Sequence, residues 1–130
     1  MSNAMIHSEI TDSILGAAFE VSNELGPGFL ESVYRRSVSI LLLEKGHHIE
    51  EEKSLEVFFR GESVGKYFAD LVVDEKVLIE FKAIGSLLPE HKAQTIHYLK
   101  ATGLKVALLI NFGKPRLDYV RIYPSAKATE

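Results

Sequence analysis

The segment Lys105-Val106-Ala107-Leu108-Leu109-Ile110-Asn111 constrains the fold more than any other part of the chain. Its apolar centre falls far short of the roughly 18 residues a membrane span needs. It also lacks the alternation of a strand with one wet face. A short, almost wholly apolar run of this kind is expected of a strand buried on both faces. Such a strand needs cover above and below, so a mixed sheet with helices packed on its faces is the economical arrangement.

The remaining pattern supplies those parts. Ile10, Ile14, Ala17, Val21 and Leu25 recur at steps of three and four, which predicts an amphipathic helix over 9–25, capped by Ser8 and stopped by Gly26-Pro27. A second helix is predicted over 30–45, with Leu30, Val33, Tyr34, Val38, Leu41 and Leu42 inward and Gly46 as terminator. Residues 49–53 read as an exposed edge strand or a loop. Strands follow at 55–60, 63–73 and 76–83, joined by Gly61-Glu62 and Asp74-Glu75 as an antiparallel meander. Pro89 can sit in the first turn of a third helix that ends at Gly103, and residues 117–123 form a last strand.

Composition narrows the chemistry. A chain of 130 residues is expected to form one domain, over 5–130, behind residues 1–4, which read as an expression scar preceding an initiator Met5. Hydrophobic residues make up 46% and charged ones 25%, which excludes a disordered, collagenous or coiled-coil chain. No cysteine is present, so disulfides, zinc-thiolate sites, iron-sulfur clusters and thiol nucleophiles are ruled out. No basic segment leads into an apolar one, as export would require, and the expected location is cytoplasmic. The net charge is −3, unevenly placed: residues 1–90 carry 8 basic and 16 acidic side chains, residues 91–130 carry 7 and 2. Lys92, Lys100, Lys105, Lys114, Arg116, Arg121 and Lys127 are either a polyanion-binding face or a solvated surface.

The chemistry concentrates in one stretch. On the strand 76–83, Val77, Ile79 and Phe81 point one way while Leu78, Glu80 and Lys82 point the other. Asp70 interrupts the neighbouring apolar strand, and the hairpin brings it near Glu80. Strands bury charge only when it is paired or bound to metal, because desolvating an ion costs several kcal/mol. Two compensations are open: an ion pair to Lys82, or a divalent cation held by hard carboxylate oxygens.

Asp70, followed by a hairpin and Glu80-Phe81-Lys82, resembles the Asp…(Asp/Glu)-x-Lys signature of the PD-(D/E)XK nuclease superfamily. Gly28-Phe29-Leu30-Glu31-Ser32-Val33-Tyr34 is similar to the Gly-x-x-Glu-x-x-Tyr motif of its GxxExxY branch. Leu88 to Gln94, Tyr98 to Lys100 and Leu108 to Phe112 extend the resemblance over nearly everything from Glu9 to Tyr123. It implies a restriction-endonuclease-like α/β fold, a mixed sheet flanked by helices in the order α-α-β-β-β-α-β-β. It further implies Mg²⁺ or Mn²⁺ on Asp70 and Glu80, with the Phe81 carbonyl and Glu31 as further ligands, and Lys82 and Gln94 in catalysis. Glu31 is otherwise an acid in a first helical turn, placed to pair with Arg35. Tyr34, His91, Tyr98 and Lys100 are candidate contacts to nucleic acid, DNA ahead of RNA. A His91/His97 metal site is disfavoured by its spacing of six, and His47 and His48 receive no role. Ala69 replaces the proline of the superfamily name, and Phe68 stands where many relatives of this branch have an arginine.

The expected function is metal-dependent hydrolysis of nucleic acid. Its rivals are a nuclease-like domain that binds nucleic acid or a protein without cutting, and a buried ion-pair network in an oligomer. Short edge strands would suit a homodimer, with no membrane partner expected.

Overall fold

The computed structural model describes residues 5–124. The proposed scar at 1–4 and Lys127 lie outside the described residues. Three helices and five strands follow in the expected order: α1 (Ser8–Leu25), α2 (Glu31–Glu44), β1 (Ile49–Phe59), β2 (Glu62–Val73), β3 (Val77–Lys82), α3 (Pro89–Thr102), β4 (Val106–Asn111) and β5 (Asp118–Ile122). The sheet order is β1-β2-β3-β4-β5. All neighbours are antiparallel except β3 and β4, the pair joined through α3.

Strand β4 is buried at all six positions. Val106, Leu108 and Ile110 join Ile14, Ala17, Val21, Val38 and Leu42 of α1 and α2 in one core. Ala107 and Leu109 turn the other way, toward Leu99 of α3 and Leu78 of β3. The continuous apolar run thus arises because helices cover both faces of this strand.

Several expectations are corrected. Ser8 does not cap α1; the preceding His7 occupies the cap position at φ 54° with no side-chain bond, and Ser8 lies inside the helix with its carbonyl accepting from Thr11 Oγ1. Leu30 is 76% exposed, because it stands before α2 in extended backbone and off the helical stripe. Tyr34 is fully buried rather than a substrate contact. Its ring stacks on Phe112 at 4.5 Å, and its hydroxyl donates to the Gly26 carbonyl (2.6 Å) and accepts from the Phe29 amide (3.1 Å). It therefore locks the α1–α2 turn. The two segments expected at 49–53 and 55–60 form one strand: Glu51 pairs Leu71 and Lys53 pairs Ala69 in one register, with Glu52, at φ 50°, unpaired where Asp70 stands, and the register shifts between Val57 and Phe58.

His47, to which the sequence assigns nothing, ties three elements together. Its Nδ1 lies 2.7 Å from Asp74 Oδ2 and its Nε2 2.8 Å from Ser13 Oγ. A carboxylate only accepts, so Nδ1–H donates to Asp74, while Nε2 and Ser13 Oγ share the second hydrogen bond. The second Asp74 oxygen accepts from the His48 amide at 2.9 Å. Burial pushes the Asp74 carboxyl up, but the bonds from His47 and the His48 amide outweigh it and hold the group below its ordinary value. A depressed carboxyl stabilises the fold above its unfolded pKa, and that stabilisation is lost as pH falls through the folded value. Asp74→Ala is expected to lower stability by about 1–3 kcal/mol in urea melts at neutral pH. Asp74→Asn, which keeps an acceptor and tolerates the left-handed backbone at φ 54°, is expected to lose less.

Candidate active site

Strands β2 and β3 pair over only three positions, Leu71–Val73 with Val77–Ile79. Beyond them β2 continues with β1, and β3 continues with β4, so the two strands part. Asp70 and Glu80 stand at that fork. The Phe81 amide donates to Asp70 Oδ2 at 2.8 Å, and the Asp70 amide donates to Glu80 Oε2 at 3.1 Å. Each carboxylate thus bonds the backbone of the other's strand, continuing in side chains a ladder the backbones no longer make.

Holding two acids there has an electrostatic cost. Glu80 is 7% exposed, and its pKa is pushed up to about 8, first by burial and then by the charge of Asp70; the Asp70 amide and Lys82 oppose this, and Glu31 adds to it. Burial also raises Asp70, against the Phe81 amide and the charges of Lys82 and Arg35. The two acids compete for one proton, and the more buried Glu80 is the one that keeps it. Among the described residues no lysine, arginine or histidine forms an ion pair with either acid. The ion pair of Lys82 with Glu80 or Asp70 is therefore not made, and Lys82 acts on them only through its charge.

The other candidates surround this fork unevenly. Glu31 opens α2, exposed, with its charge felt at Glu80. It does not pair with Arg35, which instead meets Glu51 (3.3 Å) and Glu52 (3.8 Å). Gln94 is exposed on α3. His91 Nδ1 accepts the Leu88 amide at 2.9 Å and so helps cap that helix. Tyr98 stacks on Tyr67 at 4.1 Å, and both hydroxyls are raised by burial and then by Glu80; Tyr98 reaches about 12. Lys100 is exposed two residues further on. Of the basic C-terminal residues, Arg121 meets Thr11 (2.9 Å) and Asp12 (3.6 Å), and Lys114 meets Asp118 (3.8 Å), so the set is not one free basic face.

Three contributors escape the sequence. Tyr67 adds a buried hydroxyl that has no hydrogen-bond partner, and Arg35 adds positive potential at Asp70. The third is Asn111, fully buried at the end of β4. Its Oδ1 accepts from the Ile84 and Gly113 amides (both 3.0 Å) and its Nδ2 donates to the Ile84 carbonyl (3.0 Å). The next residue, Phe112, donates its amide to the Lys82 carbonyl at 2.8 Å. This clamp fixes the end of β3 from which Lys82 projects. A polar residue closing an apolar run was its only local signal.

A family model of the PD-(D/E)XK nuclease superfamily matches residues 8–122. The chain belongs to that superfamily. No curated protein matches it. Among solved structures, one titled "Crystal structure of SSO0001" is 21% identical with a TM-score of 0.56, the match covering 71% of this chain and 48% of that one. The chain therefore spans about half the length of that protein. An alkaline exonuclease, LHK-Exo from Laribacter hongkongensis, is 17% identical with a TM-score of 0.50, covering 95% of this chain and 72% of that one. Both likenesses concern the fold, a mixed five-stranded sheet flanked by helices.

Members of this superfamily generally use divalent metal ions, and the donor set here fits one. Two adjoining carboxylates without an ion-pair partner offer hard oxygen ligands. The Tyr67 hydroxyl, buried within the field of Glu80 and without a hydrogen-bond partner among the described residues, is of the kind a bound water would satisfy. Among the described residues no three His, Asp or Glu side chains gather as a metal cluster. The protein would thus supply two carboxylates and leave the rest of the shell to backbone, water and substrate.

Proposed function

We propose that this chain is a divalent-metal-dependent nuclease of the GxxExxY branch, hydrolysing phosphodiester bonds of nucleic acid, DNA ahead of RNA, as one cytoplasmic domain over 5–130. The observation that carries the reading is the fork of β2 and β3, where half-buried Asp70 and buried Glu80 sit side by side, with no ion-pair partner among the described residues. Asp70 and Glu80 would hold Mg²⁺ or Mn²⁺, with the Phe81 carbonyl as a further ligand and Glu31 contributing charge. The bound ion supplies Lewis acidity to the phosphate and acidifies water. Lys82, on the Glu80 side of β3, orients the attacking water or offsets charge developing on the phosphate. Gln94 hydrogen-bonds that water or a phosphate oxygen. A homodimer would set two such sites on two strands.

The test is cleavage of labelled single-stranded, duplex and branched DNA and RNA in Mg²⁺ and Mn²⁺, read beside metal-dependent melting. Lys82→Ala is expected to lower cleavage by about 10²–10³-fold while keeping the rise in Tm that metal produces. Asp70→Ala should lose both. Absence of cutting together with absence of metal stabilisation would overturn the reading in favour of a domain that binds without cutting.

A further inference from the structure

Beyond the pairing with β3, β1 and β2 run on as a two-stranded ribbon to the turn at Arg60-Gly61. Opposite α3 this ribbon walls a groove of about 540 Å³, lined by Glu56, Val57, Phe58 and Tyr67 of the ribbon and by His97, Tyr98 and Lys100 of the helix. At its inner end lies the Tyr67–Tyr98 stack, packed on the same cluster as Leu78, two residues before Glu80 and on its face of the strand. At its outer end Phe58 is 61% exposed. The inner end of the groove thus lies on the Glu80 face of the sheet, within the field of that carboxylate.

Its lining selects among nucleic acids. An open aromatic face stacks on a base only when that base has left its own stack, which favours unpaired strands over intact duplex. Lys100 and His97 set positive or ionisable groups beside the rings, where the phosphates of a stacked strand run. The acid in the lining is already engaged: Glu56 accepts from Ser63 at 2.6 Å and stands in register opposite Lys66. Cation and aromatic therefore face the groove together.

We infer that this groove binds an unpaired nucleic-acid strand, stacking bases on Phe58 and the Tyr67–Tyr98 pair with Lys100 on a phosphate, and leads that strand to Asp70 and Glu80. The inference rests on the nuclease reading for its direction, but binding is measurable without cutting. Anisotropy of a labelled oligothymidylate and of a blunt duplex, in chelator, compares the wild type with Phe58→Ala, Phe58→Trp and Lys100→Ala. The single strand is expected to bind at least about tenfold tighter than the duplex. Phe58→Ala should weaken single-strand binding about tenfold and leave duplex binding unchanged, and Phe58→Trp should restore it. Lys100→Ala should lower the salt slope by about one. Phe58 is exposed, so these variants should melt like the wild type.

Equal affinity for the two substrates, or an unchanged Phe58→Ala, would overturn the groove. So would light scattering showing a dimer that Phe58→Ala dissolves, since a second copy would then cover the ribbon. Single-strand binding without metal-dependent cutting would instead sink the nuclease reading and leave the groove standing.

Discussion

Glu80→Gln is expected to abolish cleavage and at the same time to stabilise the metal-free protein above pH 8. The carboxyl has an ordinary pKa of 4.5 and is raised to about 8 in the fold, by burial and then by Asp70. Below 4.5 both folded and unfolded chains hold the proton, and the group costs nothing. Between 4.5 and about 8 the unfolded chain ionises while the folded one stays protonated, so stability falls steadily as pH rises. Above about 8 the whole penalty is present. At about 1.4 kcal/mol per pKa unit, that penalty is on the order of 3–5 kcal/mol, an upper limit because Asp70 shares the titration. Glutamine stays neutral and still accepts the Asp70 amide, so it escapes the penalty.

Melting curves of the metal-free proteins should therefore coincide near pH 4 and separate toward pH 9, the variant being the more stable; parallel curves would refute the argument. In the proposed metal site, binding must also displace the Glu80 proton. Affinity for Mn²⁺ or Mg²⁺ should rise by up to about tenfold per pH unit through neutrality and level off above about pH 8. Calorimetry in buffers of different ionisation enthalpy reads the released proton directly. In cleavage, the variant loses one of the two carboxylates of the proposed metal site, and a fall of at least about 10³-fold is expected.

Gly113→Ala is expected to be the most damaging change of a single methyl group. A Cβ there would run into the backbone of Ile84 and Ala83, atoms that cannot swing aside as a side chain can. The Gly113 amide also belongs to the clamp on Asn111 Oδ1. To make room, the segment after β4 must move off the end of β3, breaking bonds that fix Ile84 and lie next to Lys82. A loss of about 3 kcal/mol or more is expected in urea melts, with reduced cleavage in the fraction that remains folded. Gly65→Ala is the control, since a Cβ there meets nothing within 4 Å. It should change stability by less than about 0.5 kcal/mol. Equal behaviour of the two variants would show that the loops yield freely.

The parts of the site that can be read from the sequence are those closed by local geometry. Asp70 and Glu80 meet because Asp74-Glu75 turns one strand back on the next, and period-two alternation puts Glu80 and Lys82 on the face opposite Phe81. Asn111, Gly113 and Tyr67 were not legible in this way. Asn111 reaches Ile84 across 27 positions of chain, and Tyr67 meets Tyr98 only because α3 crosses over the sheet. His47 shows the same limit, bridging Ser13 and Asp74 from a connection that offers no pattern of its own.

The sequence by itself determined the order of helices and strands, the doubly buried β4 and the pairing of the two acids across a hairpin. Periodicity and turn residues report how each segment divides its own apolar and polar faces, and that suffices for these features. Tertiary structure alone decided that Tyr34 is a buried strut, that Leu30 faces water, and that Asp70 and Glu80 sit at a fork without a cation in contact. Those outcomes depend on which distant segment covers a face and how much water it excludes, and burial rather than residue type sets the proton affinity of Glu80.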